Sequence, residues 1–432
     1  MKNFNTFNPT DIYSFPKNWK KFKFYNLFST NKDISKNIDK EVVLSLTKKG
    51  LVVRDLESNK GQIAGSYDKY TKVIPNDIVF NPMDLISGWV DVVNETGVVS
   101  PSYLSFRLNE NQVNPLFILY LFQLQYLNKM LFNFGKGVAT HDGFGRWSIN
   151  EDTILKTNIF LPDIETQNII VKYLEQNTKK IDKLVEKIQK KIVLLKAQRN
   201  SLINHYVLKG LDPNVEMKDS GDRWMGDIPK HWELIKLKYL VSYNQETLSE
   251  ATDPDYEIYY IEIGDVDYID GISINNKIRF SESPSRARRV VQPNDVIIST
   301  VRTYLRSIGV VPDISNVVCS TGFCVLRDNT GLIEQKFLSF AVKSEWFVSN
   351  VISNSYGVSY PAINSSEIIQ LKIALPPKNE QLDIIDFLDS KILKIDQNIR
   401  LEEKRISLLN EYRNSLILSV VTGEHTITRE MV

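Results

Sequence analysis

Few residues in this sequence are spaced for catalysis. The four histidines, His141, His205, His231 and His425, show no metal-ligand spacing, and no H-E-x-x-H places two of them on one helix face. Neither a G-x-x-x-x-G-K-[ST] loop nor a G-x-G-x-x-G turn is present to cradle phosphate; Phe134-Gly135-Lys136-Gly137 has the residue types without the spacing. Pro312-Asp313 followed by Glu334-Gln335-Lys336 has the loose form of a site in which two carboxylates hold Mg²⁺ and a lysine assists phosphodiester hydrolysis. A stand-alone Mg-dependent nuclease is therefore one alternative. The first turn of a helix favours an acid such as Glu334 for its dipole alone, which is the blander explanation.

Binding residues are plentiful. Between Lys277 and Arg306 stand seven cations, Lys277, Arg279, Arg286, Arg288, Arg289, Arg302 and Arg306, against Glu282 and Asp295, a local charge of +5 with Tyr304 between two of the arginines. Lys69, Lys72, Lys136, His141, Arg146 and Trp147 are the comparable set earlier in the chain. Arginine in loops neutralises phosphate and pairs bidentately with guanine edges, so these are the candidate DNA contacts. Solvated surface charge is the plain alternative for any one of them. No residue is assigned to catalysis or to metal binding.

These residues sit in a chain that repeats itself. Residues 161–203 align without gaps to 375–417, an offset of 214, ending in Arg199-Asn200-Ser201-Leu202-Ile203 and Arg413-Asn414-Ser415-Leu416-Ile417. Gln167 answers Gln381, and Ile181-Asp182 answers Ile395-Asp396. Upstream the match is softer: Pro16-Lys17-Asn18-Trp19 with Pro229-Lys230-His231-Trp232, Pro75-Asn76-Asp77 with Pro293-Asn294-Asp295, Arg107 with Arg327. Six extra residues enter the first copy within 140–147.

The best-matched part of each copy reads as a long helix. Ile181, Val185, Ile188, Ile192, Leu195, Arg199 and Leu202 alternate by four and three, as do Ile395, Ile399, Glu402, Ile406, Leu409, Arg413 and Leu416, the spacing of a coiled-coil seam. About 40 residues give a rod of roughly 60 Å. Residues 167–210 hold ten Lys/Arg and three acids, a net +7, whereas 381–424 hold six and eight, a net −2, so the two helices should pair with each other. Arg199 and Arg413 read as polar residues that set the register. The fold class expected is α+β: two similar globular domains, 1–160 and 228–374, joined by two long antiparallel helices, 161–210 and 375–432, related by a pseudo-two-fold, with a polar linker at 211–227. Short strands are expected at 256–266, 295–299 and 317–326, and apolar helices at 116–131 and 332–348.

The chain has 432 residues, 42% hydrophobic and 24% charged, with a formal net charge of +1. That composition excludes disordered and collagen-like classes and predicts two or three domains. Two cysteines, Cys319 and Cys324, are too few for a disulfide framework, and neither a signal peptide nor a run of about 18 apolar residues is found, so a cytoplasmic protein is expected.

The duplicated motifs, taken in order, resemble the DNA specificity subunit of type I restriction-modification systems. The Pro-x-x-Trp openings, the Leu161-Pro162…Gln167 and Leu375-Pro376-Pro377…Gln381 helix starts, and the Arg-Asn-Ser-Leu-Ile ends followed by Thr422-Gly423 carry the resemblance. Residues 76–83 and 97–103 also look like one class of target recognition domain. The resemblance implies a non-catalytic subunit whose two domains each read half of a split DNA site across a helical spacer. It implies two methyltransferase subunits carrying S-adenosylmethionine, and ATP- and Mg-dependent restriction subunits, as partners, with no cofactor on this chain; a related system that fuses methylation and cleavage on one partner is the near alternative. Asn81-Pro82-Met83-Asp84 superficially resembles the Asn-Pro-Pro-aromatic loop of adenine methyltransferases, but lacks the second proline and the ring that stacks on a flipped base.

Overall fold

The computed structural model describes residues 14–35, 41–47, 50–55, 67–83, 89–109, 112–127, 135–139, 145–222, 224–275, 277–357 and 359–432. The chain divides into two compact units, one made of Met1–Ile188 with Lys404–Val432 and the other of Gln189–Glu403. Each long helix, Ile164–Lys209 and Lys378–Val421, contributes one part to each unit.

The two units repeat one plan. In the first, Phe28–Thr30, Leu104–Leu108, Ile78–Phe80 and Val90–Val92 form an antiparallel sheet. A second sheet orders Gly50–Val53, Val43–Thr47, Gly97–Val99 and Thr71–Val73, its middle two strands parallel. The second unit matches both. Val241–Tyr243, Phe323–Asp328, Val296–Ser299 and Ile308–Val310 make the antiparallel sheet. Ile278–Arg279, Glu257–Ile261, Val317–Ser320 and Ala287–Val291 make the mixed one. In each unit a two-stranded ribbon, Lys20–Lys23 with Asn158–Leu161 or Glu233–Lys236 with Lys372–Leu375, leads into a long helix. The strands are short and β-branched or aromatic, and one inner strand of each four-stranded sheet, Ile78–Phe80, Gly97–Val99, Val296–Ser299 and Val317–Ser320, buries both faces.

The repeated motifs explain themselves as joints. Asn76 and Asn294 adopt left-handed backbone, φ 75° and 70°, which asparagine tolerates, and thereby close matching turns. The buried Asp77 and Asp295 that follow accept both forks of Arg107 and Arg327: Nε at 3.1 and 2.8 Å, Nη2 at 3.0 and 2.7 Å. Those carboxylates hold the two guanidiniums even more firmly protonated than usual. Gln167 accepts from the backbone N–H of Asn114 at 2.9 Å and donates to the Pro162 carbonyl at 2.9 Å; Gln381 does the same with Glu334 at 2.8 Å and Pro376 at 2.9 Å. In this way the first turn of each long helix is tied to the start of a shorter helix, Pro115–Leu127 or Gln335–Val342.

The Pro-x-x-Trp turns serve the far ends. Gly210 and Gly423 follow the two helix ends with φ +72° and +75°. A Cβ on Gly210 would lie 3.2 Å from the Trp232 ring, and one on Gly423 only 2.5 Å from Pro16. The last helix therefore stops at Val421, short of the expected 432, and the remainder turns back into a short 3-10 element, Arg429–Met431.

Helix pairing follows charge. In the second unit Lys191 meets Glu402 at 2.6 Å and Arg199 meets Asp396 at 3.1 Å, numbers rising along one helix as they fall along the other, so the pair is antiparallel. In the first unit Arg413 approaches Asp182 at 3.4 Å, the pair that the repeat makes equivalent to Arg199 and Asp396. Ile181, Ile188, Ile192, Ile395, Ile399 and Leu416 are buried, and Val185, Leu195, Leu202, Ile406 and Leu409 are partly buried.

Two expectations are corrected. The helix expected over 332–348 is two, Gln335–Val342 and Glu345–Ser353, because Lys343 ends the first and Ser344, with extended backbone, starts the second. The linker 211–227 is not merely polar: Met217–Asp219 pairs with Asp227–Pro229, and Met225 is buried. The helix expected over 116–131 spans Pro115–Leu127 among the described residues.

Candidate nucleic-acid interface

In the second unit two loops are stitched together beside the antiparallel sheet. Arg302 N–H donates to the Pro361 carbonyl at 2.7 Å, Ile363 to Thr300 at 2.9 Å, and Tyr356 and Ala362 exchange bonds of 2.8 and 2.9 Å. Thr303 and Ser355 hydroxyls meet at 2.8 Å. Arg302 and Arg306 bracket the single turn Thr303–Leu305 with φ of 51° and 56°, a conformation costly for a branch-bearing side chain and found mainly where function fixes it. The outcome is a rigid platform with Tyr304, Tyr356 and Tyr360 51%, 71% and 64% exposed, and the Arg302 guanidinium 4.7 Å above the Tyr360 ring. Flat aromatic faces beside a held guanidinium suit stacking on bases and pairing with phosphate or a base edge.

The other cations of this unit divide by partner. Arg306 is bidentate with Glu345, at 2.6 and 2.7 Å, and the Glu345 N–H donates to Asn204 of the first long helix at 2.6 Å, so Arg306 braces the platform from beneath. Lys277 lies 3.7 Å from Glu257 and over Tyr259, and Arg279 lies 3.6 Å from Asp255. Surface pairs of this kind are worth at most about 1 kcal/mol and yield readily to phosphate. Arg288 stacks on Phe280 at 4.7 Å, Arg286 is exposed in a turn, and Arg289 is half-buried in Ala287–Val291. The +5 sum thus belongs to its window: Asp255, Glu257 and Glu345, outside it in sequence, lie against three of its cations.

In the first unit the equivalent place is a hairpin, Lys136–Ala139 paired with Gly145–Ser148. Here the extra residues of the first copy fall. Lys136 is exposed at its base, Arg146 stands opposite Val138, and Trp147 opposite Gly137; His141 lies outside the described residues. Ile149 N–H donates to the Pro82 carbonyl at 2.9 Å, as Ile363 does to Thr300, so the rim is built alike in both copies. Lys69 is exposed in a turn apart from the hairpin, and Lys72 pairs with Glu41 at 3.2 Å.

The decoy sites dissolve into structure. Glu334 pairs with Lys378 at 3.1 Å and Lys336 with Asp389 at 2.5 Å, while Asp313 sits in an exposed turn. Among the described residues no group of three His, Cys, Asp or Glu could hold a metal. The Asn81 side chain accepts from Met83 N–H at 3.1 Å, closing a local turn, and Asp84 lies outside the described residues. Cys319 and Cys324 are buried free thiols whose pKa burial pushes up to about 12. No helix among the described residues is long and apolar enough to cross a membrane.

The sequence window missed Tyr356 and Tyr360, which lie more than fifty residues past Arg302. A signal was present: both flank Gly357, the counterpart of Gly137, where the first copy carries its extra residues.

Comparison with known proteins gives three findings. Residues 229–411 match the model of the type I restriction modification DNA specificity domain. Two Methanocaldococcus jannaschii proteins are similar over most of the chain: one assigned as the type I restriction enzyme MjaX specificity subunit, 23% identical over 74% of this chain and 70% of its own, and the type I restriction enzyme MjaVIII specificity subunit, 21% identical over 83% of each. In fold, the chain matches a solved chain from work on complex assembly and conformational transition of the type I R-M system, with TM-score 0.68 at 15% identity, covering 96% of this chain and all of that one.

Proposed function

We infer that this chain, a type I restriction-modification specificity subunit by family, recognises a DNA sequence through its two similar units and itself carries out no chemistry. What most supports this is the duplication: one plan of two sheets, ribbon and long helix occurs twice, each time with a loop of different length on a rim closed by the same backbone bond. Each unit reads one half of a bipartite site. The domains reading DNA are 1–160 and 228–374. The platform of Arg302, Tyr304, Tyr356 and Tyr360 contacts the second half-site, and the hairpin of Lys136, Arg146 and Trp147 the first. Unlike loops on like rims mean unlike half-sites. The long helices act as the spacer that sets the gap.

Partners are modification subunits that supply S-adenosylmethionine and transfer its methyl group to an adenine, and restriction subunits that use ATP and Mg²⁺. Leu194 and Leu408, equivalent by the repeat and exposed on the two long helices, offer each modification subunit the same apolar foothold. Such an assembly works in the cytoplasm, where its DNA is. Genome-wide mapping of methylated adenines in a host with and without the chain tests the reading: a split motif that appears only with the chain is expected, and an unchanged methylome in the presence of active modification subunits refutes it.

A further inference from the structure

We propose that the second unit holds a binding site for a small oxyanion, inorganic phosphate or the phosphate of a monoester, in the cavity where Arg199 and Lys343 meet. The cavity measures 600 Å³ and lies among the first long helix, the turn at Asn294, the helix Gln335–Val342 and the second long helix. Arg199 is 6% exposed; its Nε is bound to Asp396, but its Nη1 is buried with no hydrogen-bond partner. Lys343, also buried, donates to the Tyr268 carbonyl at 3.3 Å, and among the described residues no carboxylate reaches ion-pairing distance of it. The cavity's remaining charges are matched, Lys336 by Asp389 and Glu334 by Lys378.

Two adjacent buried cations with unused donors are costly alone and cheap around an anion. A buried charged donor left unmet keeps its desolvation cost uncompensated, whereas charge-assisted bonds to an oxyanion are among the strongest available. The fold does not need the lysine. At the equivalent place in the first unit stands Gln123, and Leu116 replaces Lys336. The groups facing Lys343 are Arg199, Asp267, Asp396 and Tyr268, whose ring centre lies 5.9 Å from the ammonium; burial first, then Arg199, brings its pKa down to about 8 against the pull of the two acids. A bound dianion would favour the charged form and raise that pKa again.

The test uses the full chain, the Lys343→Gln variant that copies the first unit, and inorganic phosphate against sodium chloride of equal ionic strength. Calorimetry and phosphorus NMR at pH 7 should show saturable phosphate binding by the wild type, weakened about tenfold or more in the variant and weaker again at pH 9. AMP and ATP in place of phosphate distinguish the sources: tighter binding of a nucleotide assigns the site to a monoester or polyphosphate, and phosphate alone assigns it to the free ion. No saturable binding of any of these probes, or equal binding by wild type and variant, overturns the proposal. The NMR measurement on the wild type stands whether or not the variant folds.

Discussion

Arg327 and Asp295 form the kind of pair whose halves cannot be removed singly. The Asp295 side chain is 2% exposed, so Arg327→Ala strands a buried carboxylate, and a loss of about 3–5 kcal/mol is expected in the second unit's urea unfolding. The double substitution with Asp295→Ala should cost less than the sum of the two. Arg302 and Arg306 should separate cleanly in function. Arg302→Ala and Tyr356→Ala each weaken DNA binding by the assembled complex by about 1–3 kcal/mol with melting unchanged, whereas Arg306→Ala lowers stability by freeing Glu345. Lys343 adds a pH signature. Its folded pKa of about 8 lies below the unfolded value, so the unfolded chain binds the extra proton between the two. Stability should therefore rise with pH from about 8 to about 10.4, and fall as pH drops through 8; Lys343→Gln flattens that rise in thermal melts. The thiols are the converse case: with pKa pushed up to about 12 and no exposure, Cys319 and Cys324 should resist a thiol reagent at pH 8 until the protein is unfolded.

At the scale of elements, what was legible depended on periodicity. The Leu-Pro pairs at 161–162 and 375–376 marked the starts of both long helices to within three residues, and the apolar steps of four and three farther along are the spacing of a helical seam. The break at Lys343-Ser344 was not legible, since no Gly or Pro marks it within 332–348, and the second segment is held by tertiary contacts such as that of Glu345 with Arg306. Ion pairs were legible only as totals. Net charge foretold that a basic helix meets an acidic one, and the bonds of Arg199 to Asp396 and Lys191 to Glu402 agree. Window sums on the loops failed, because strands bring distant acids such as Asp255 and Glu257 against their cations. Removing one heptad from a long helix shifts the spacer by roughly 10 Å. The methylated motif should then change its gap with both half-sites kept, or the complex should fail to assemble; an unaltered motif from an intact complex removes the spacer role.

For the whole molecule, duplication is the dominant fact. It was readable from Arg-Asn-Ser-Leu-Ile occurring twice, and the matched positions Gln167 with Gln381 and Asp77 with Asp295 make the same joints in both units. What it could not forecast is where the copies had parted, since Lys343 against Gln123 looks like any other mismatch until the cavity is seen. Exchange of residues 228–374 for the same segment of another such chain should alter one half of the methylated motif and spare the other. Motif mapping reads that directly, and change in both halves contradicts modularity.

The rim at Pro82 and Ile149, repeated at Thr300 and Ile363, behaves as a socket with a standard thread. One copy screws in a long bit, the other a short one, and neither sheet registers the difference. On the proposed reading, new targets could arise by changing these loops while the rim bond stays, and an experimenter wanting a new specificity would begin there too.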